Sequence, residues 1–269
     1  MKKLIIAGRT FYALALMVYG LQQLYFGTFR DVFFSPYQQH LPLLNVLSYI
    51  FGIYLIATGV LIFIPGKGRK ASLVMGGVFL SLFLCTQVPY QLISQPISIY
   101  HIGLWTAQLK ELALAGGAFV VAYSFGTDYV LKENFLEKLA PYGNLFFLTT
   151  MTSFGISHIL YGTFLVGIVP KWLPEHLFWV TFTGITLTAG GLAIILGLRI
   201  RIIALLLSLQ IFLWLWMVHV PGTLSKPFAA NRGNLLASAF DALAFSGIAL
   251  LIALTMKKQK LVEDIENWV

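Results

Sequence analysis

His158 and Asp241 are two titratable residues that lie inside long apolar stretches of the sequence. Ionisable groups in such stretches are costly to bury, and they are therefore candidates for function. An imidazole beside a carboxylate can take up and release a proton near neutral pH. A second apolar stretch, earlier in the chain, carries the neighbouring residues Lys110 and Glu111. These four residues are the candidate catalytic groups.

An internal repeat relates these residues to one another. The segment GLQQLYFGTF begins at Gly20, and the similar segment GISHILYGTF begins at Gly155. Gln23 of the first copy stands where the second copy has His158. The sequence therefore predicts two related halves, of which the second carries a titratable His–Asp pair. The first half would carry Gln23 and Glu111 at similar depths in its own helices.

A second pair of polar residues follows the same repeat. QVP at 87–89 matches HVP at 219–221, so that Gln87 corresponds to His219. Proline frees a backbone carbonyl, and a polar side chain at such a helix end can bond to the freed groups. We also consider His219, Gln23 and Gln87 as candidate cofactor-binding residues.

The composition indicates an integral membrane protein. Hydrophobic residues make up 58% of the chain and charged residues 10%, whereas soluble domains are about 45–50% apolar and about 25% charged. The apolar stretches reach the roughly 20 residues that span a bilayer, and their length favours helices over barrel strands. The net charge of +8 is distributed in short clusters between these stretches. That distribution is typical of topology signals and does not point to nucleic acid.

We expect eight transmembrane helices in an all-α fold. The initial stretch could pass for a signal peptide, but Arg9 interrupts its apolar run. The predicted spans are 6–28, 43–64, 71–91, 104–124, 144–166, 177–197, 202–220 and 234–256.

The repeat divides the predicted helices into two parallel four-helix bundles. The predicted units are a first four-helix unit at 1–125, a linker with a short amphipathic helix at 126–142, a second four-helix unit at 143–256 and a tail at 257–269. Lysine and arginine are concentrated on the side that holds both termini. The positive-inside rule then predicts cytoplasmic termini in a bacterial inner membrane.

Two segments resemble the DoxX family of membrane proteins. IVPKWLPEHLFWVTFTGITLTAGGLAIILGLRIR at 168–201 is similar to its proline-rich turn, glycine-containing helix and basic turn. LKELALAGGAFVVA at 109–122 is similar to its fourth helix. The resemblance implies two tandem DoxX-like units. It also implies a membrane subunit in a quinone-linked redox complex, with other membrane or periplasmic subunits as partners.

Several hypotheses for the function follow from these residues. His158 and Asp241 could serve a quinone, with Lys110 and Glu111 as a second site. Haem b held by His158 and His219 is a weaker alternative, because their estimated depths differ by about 6 Å. The polar residues could instead only hold helices together in a scaffold subunit, or they could line a path for a small solute. No spacing of histidine, cysteine and acidic residues predicts a metal site.

Overall fold

All regular structure in the described residues is helical. The computed structural model describes residues 1–34, 42–94, 97, 100–126, 134–228 and 230–256. The α-helices are α1 Lys2–Phe26, α2 Leu44–Phe63, α3 Gly68–Leu82, α4 Thr106–Ser124, α5 Phe135–Leu139, α6 Gly143–Leu160, α7 Gly162–Leu165, α8 His176–Ile195, α9 Ile200–Trp214, α10 Val220–Leu224 and α11 Asn234–Thr255. Short 3₁₀ turns occupy Ile102–Trp105, Ala140–Tyr142, Val166–Ile168 and Ala230–Gly233.

Six helical segments are long and apolar enough to cross a membrane. This confirms the prediction of a membrane protein with several transmembrane helices. The six segments are Lys2–Phe26, Leu44–Phe63, Gly68–Ser94, His176–Ile195, Ile200–Leu224 and Asn234–Thr255. A seventh is reached if the bent pair Phe135–Leu160 and Gly162–Ile168 counts as one span. Helix α4 is not in this set, because Gln108, Lys110 and Glu111 lower its hydropathy. The predicted tail at 257–269 lies outside the described residues.

The predicted span 144–166 is not one straight helix. Helix α6 ends at Leu160, Tyr161 leaves the helical conformation with φ −118° and ψ 23°, and the chain then turns by 95° into Gly162–Ile168. A bend of this size requires a local break in the i to i−4 hydrogen bonds. The turned segment lies across the end of the bundle at which α4 and α11 begin, beside the cavity described below.

Helices α4 and α11 lie at the centre of the bundle. Helix α4 packs against α3, α6 and α11, and α11 packs against α1, α4 and α9. Most of the residues of both helices are buried, and many are alanine or glycine. Small side chains let helix backbones approach closely in an apolar environment. The two predicted halves meet mainly where α11 packs against α1 and α4 packs against α6, and α4 and α11 also contact each other.

Glycines set the crossings of the outer helix pairs at matching places. Gly52 of α2 faces Gly20 of α1 so closely that an added Cβ would lie 3.0 Å from the Gly20 carbonyl oxygen. Gly184 of α8 faces Gly155 of α6 in the same way, at 2.9 Å. Cβ atoms rarely lie this close to a backbone oxygen, so glycine favours the close approach at each crossing.

Two π-helical segments interrupt the helices that carry Gln87 and His219. Phe83–Gln87 follows α3, and Leu215–His219 follows α9. Each segment ends just before a Val-Pro pair, where proline cannot donate a backbone hydrogen bond. Single π-helical turns inside helices are frequent at functional sites.

Arginine side chains fix the opposite end of the bundle. Arg69 pairs with Glu137 of α5 and also donates to the carbonyl oxygen of Ala122 at 2.9 Å. The Arg9 guanidinium lies 3.7 Å from the centre of the Phe125 ring. Helix α5 confirms the short helix predicted in the linker, although residues 127–133 lie outside the described part. These contacts attach the linker to α3 and α4.

Candidate functional site

One cavity brings four of the predicted site residues together. It has a volume of about 840 Å³ and lies between α4, α6, α8, α9 and α11. Lys110, His158, His219 and Asp241 all line it. Most of the remaining wall is apolar or aromatic. Phe154, Trp179, Trp214 and Phe245 are among the aromatic residues of this wall.

Asp241 lines the cavity and is bound by residues from the first half of the chain. The Tyr19 hydroxyl donates to Oδ1 of Asp241 at 2.6 Å, and Nζ of Lys110 lies 2.9 Å from Oδ2. Both Tyr19 and Asp241 are buried. The Arg30 guanidinium lies 4.5 Å from the centre of the Tyr19 ring. A carboxylate in this setting is compensated by charge and by hydrogen bonding, as a buried charge requires.

His158 presents one ring nitrogen to its own helix. Its Nδ1 lies 2.7 Å from the carbonyl oxygen of Phe154. A carbonyl only accepts, so Nδ1 carries the hydrogen and Nε2 of the neutral ring is left as an acceptor. His158 and Asp241 thus share a cavity, while the direct partners of the Asp241 carboxylate are Tyr19 and Lys110.

His219 and Gln210 add polar groups to the same wall. His219 ends the π-helical segment after α9 and lies within electrostatic range of both Lys110 and Asp241. Gln210 lines the cavity from α9, and its buried Nε2 has no hydrogen-bond partner among the described residues. An unpaired buried amide donor is costly, and it offers a hydrogen bond to a bound molecule.

The other three predicted site residues lie in the first half, away from the cavity wall. Nε2 of Gln23 donates to the carbonyl oxygen of Ser48 at 3.3 Å. Nε2 of Gln87 lies 3.0 Å and 2.9 Å from the carbonyl oxygens of Asp31 and Val32. Glu111 is fully buried near Gln87. In the described structure no hydrogen bond joins Gln23 to Glu111.

Aromatic rings fill the interior of the first half. Phe33 is fully buried, and its ring centre lies 5.4 Å from that of Phe79 and 5.6 Å from that of Phe51. When the two copies of the repeat are aligned, Thr183 corresponds to Phe51 and Ile211 corresponds to Phe79. Both of these smaller residues line the cavity. The loss of ring volume at these positions accounts for an open cavity in the second half and a packed interior in the first.

Sequence reasoning missed Tyr19, Thr183 and Gln210. The usable signal for Tyr19 was its place in the middle of a span, because a buried tyrosine hydroxyl usually needs a partner. The exchange of Phe51 for Thr183 between the two copies was also readable, since it removes a ring from a helix interface.

Comparison with protein family models, curated proteins and solved structures gives no match.

Proposed function

We propose that this chain is an integral membrane subunit of a quinone-linked redox complex and that the cavity binds the quinone. The observation that carries the proposal is the cavity itself. An apolar space of about 840 Å³ has Lys110, His158, His219 and Asp241 among its lining residues. Ligand pockets of about 300–1,000 Å³ with apolar walls and a few convergent polar groups are typical of small-molecule sites.

The polar groups suit the head of a quinone. Its two carbonyl oxygens accept hydrogen bonds, and the Lys110 ammonium and the unpaired Nε2 of Gln210 are donors at the cavity wall. Trp179 and Trp214 supply aromatic faces for a flat ring. A bound quinone supplies reversible electron and proton chemistry. Nε2 of His158 is then a proton acceptor at the cavity wall, and the Asp241 carboxylate holds the Lys110 ammonium there, while the apolar wall excludes water.

The mouth of the cavity suits an apolar tail. Phe164 and Ile168 line it and are 85% and 57% exposed. Apolar side chains this exposed are compatible with lipid, and a tail leaving between them would enter the acyl region. We place this end at the outer face of the membrane, which leaves both termini on the cytoplasmic side of a bacterial inner membrane.

We infer a fold of eight spans in two DoxX-like units. Six or seven segments qualify by length and composition, and α4 is the remaining long helix. The matched contacts of Gly20 with Gly52 and of Gly155 with Gly184 support the repeat. The π-helical segments before Val88 and Val220 support it independently. The units then close on each other, because α1 packs on α11 and α4 packs on α6.

The proposal is tested by extraction of quinones from gently purified protein. We expect about one quinone per chain in the wild type and none in Thr183→Phe. This substitution introduces at position 183 the phenylalanine that the first half has at Phe51, and its ring would occupy the cavity. Ile185→Phe is the matched control, because Ile185 lies on the same helix and is 54% exposed. This variant should retain the quinone.

The other outcomes point elsewhere. A wild-type sample without quinone and without a visible absorption band contradicts the proposal, and stoichiometric copurification of other chains would then favour a scaffold subunit. An absorption band that shifts on reduction by dithionite would instead indicate haem b, with His158 and His219 as the available imidazoles.

A further inference from the structure

Glu111 is a buried acid that the cavity does not use. Its side chain is fully buried, and neither carboxyl oxygen has a hydrogen-bond partner of normal geometry among the described residues. Its neighbour Lys110 points to the cavity and to Asp241, whereas successive residues of a helix point about 100° apart. Glu111 therefore faces the packed interior of the first half.

The side-chain amide of Gln87 donates its hydrogens to two backbone carbonyls. Gln87 is near Glu111, but its Nε2 lies within 3.0 Å of the carbonyl oxygens of both Asp31 and Val32. An amide NH₂ carries two hydrogens, and these two carbonyls take both. The same contacts fix the orientation of the amide. Its Oε1 is left as an acceptor, which Nε2 of Gln108 approaches at 3.3 Å.

Gln108 adds another oxygen without a donor. It lies three residues before Glu111 on α4, so the two side chains project from the same face. Oε1 of Gln108 is buried and has no partner in the described structure. Together Gln108 and Glu111 place three acceptor oxygens in an interior where an ionised, unpaired carboxylate is very costly.

We propose that Glu111 binds a proton and exists as a neutral carboxylic acid that donates to a glutamine carbonyl. One proton removes the charge and gives Glu111 and one amide oxygen a shared hydrogen bond. A hard metal ion fits less well, because such ions take about six or more oxygen ligands, and these two side chains offer three free ones. The proposal does not depend on what the cavity binds.

Infrared spectroscopy of the full-length protein with ¹³C-labelled glutamate tests this proton site. At neutral pH we expect a carbonyl band of a protonated glutamic acid in the wild type. The band should be lost in Glu111→Gln and kept in Glu175→Gln, where the residue is exposed. A wild-type spectrum with carboxylate bands alone, or a band that persists in Glu111→Gln, overturns the proposal.

Two further measurements keep the test decisive. If Glu111→Gln fails to fold, a pH titration of the labelled wild type still decides, because an exposed glutamate loses its proton well below neutral pH. The melting temperature in sodium chloride and in choline chloride separates a proton from sodium. Equal values are expected, and a sodium-dependent increase that Glu111→Gln lacks would overturn the proton assignment.

Discussion

Nζ of Lys110 and Oδ2 of Asp241 lie 2.9 Å apart and join the two central helices. Lys110 belongs to α4 of the first half, and Asp241 belongs to α11 of the second half. The pair therefore joins α4 and α11 at the wall of the proposed ligand cavity. A site in one half of the chain depends in this way on a charge from the other.

A double-mutant cycle should detect this link. We expect Asp241→Asn to lower the free energy of unfolding by about 2–4 kcal/mol, because it leaves the Lys110 ammonium largely buried without its counter-charge. Lys110→Met in the same background should recover about 1–3 kcal/mol. The measurement is unfolding in detergent, followed for both single variants and the double variant.

The ion pair between Asp31 and Arg232 is the control for that cycle. Its shortest distance is also 2.9 Å, but its side chains are 40% and 45% exposed. Exposed pairs contribute about 0–1 kcal/mol, so Asp31→Asn should change stability little. A coupling energy no larger for Lys110 and Asp241 than for this pair would contradict a structural link between the halves.

Tyr19→Phe should reveal how far Asp241 relies on the first half. The change removes the hydroxyl that donates to Asp241 at 2.6 Å and keeps the ring beside Phe33. Hydrogen bonds to charged groups contribute about 1.5–3 kcal/mol, and we expect a loss of that size in thermal unfolding. Tyr25→Phe, at a tyrosine that is 67% exposed, should have no measurable effect.

The sequence predicted the helices well because membrane spans depend on the length of apolar runs. The span predicted at 43–64 is the apolar helix Leu44–Phe63 in the structure, whereas the segment predicted at 104–124 is helix Thr106–Ser124, which is not among the six helices apolar enough to cross a membrane. The polar residues that stand out within apolar runs of the sequence, Lys110, His158, His219 and Asp241, also line one cavity.

Contacts between the halves could not be predicted in the same way. The repeat suggested that Asp241 would face His158 within one four-helix unit, but α11 packs against α1 and α4, and Tyr19 and Lys110 bind the carboxylate. The cavity depends on summed side-chain volumes across several helices, and the turn at Tyr161 depends on local backbone geometry. Neither quantity is contained in a hydropathy pattern.

Gly155→Ala should destabilise the crossing of α6 and α8. A Cβ there would lie 2.5 Å from the backbone nitrogen of Thr188 and 2.6 Å from the carbonyl oxygen of Gly184. Overpacking of this kind costs about 1–3 kcal/mol, which thermal unfolding would register. Gly167→Ala is the control, because an added Cβ at Gly167 meets nothing within 4 Å. Equal melting temperatures for the two variants would show that the crossing tolerates a side chain.

His219→Ala and His158→Ala should weaken ligand binding while leaving the fold intact. Both imidazoles line the cavity and are among the few polar groups there. We expect each variant to lower the affinity for a short-chain quinone by at least about tenfold, or about 1.4 kcal/mol. Trp179 and Trp214 lie in the cavity wall, so quenching of tryptophan fluorescence reports binding directly.

His176→Ala is the matched control for these two variants, because His176 begins α8 and does not line the cavity. It should keep wild-type affinity. The proposed function and the scaffold alternative predict opposite results for His158→Ala. A ligand site loses affinity at an unchanged melting temperature, since the hydrogen bond of His158 in the described part of the chain joins Nδ1 to a carbonyl of its own helix. If the protein is a scaffold, His158→Ala should lower the melting temperature. Quinone binding should then be either unaffected by the histidine substitutions or absent in the wild type and in every variant.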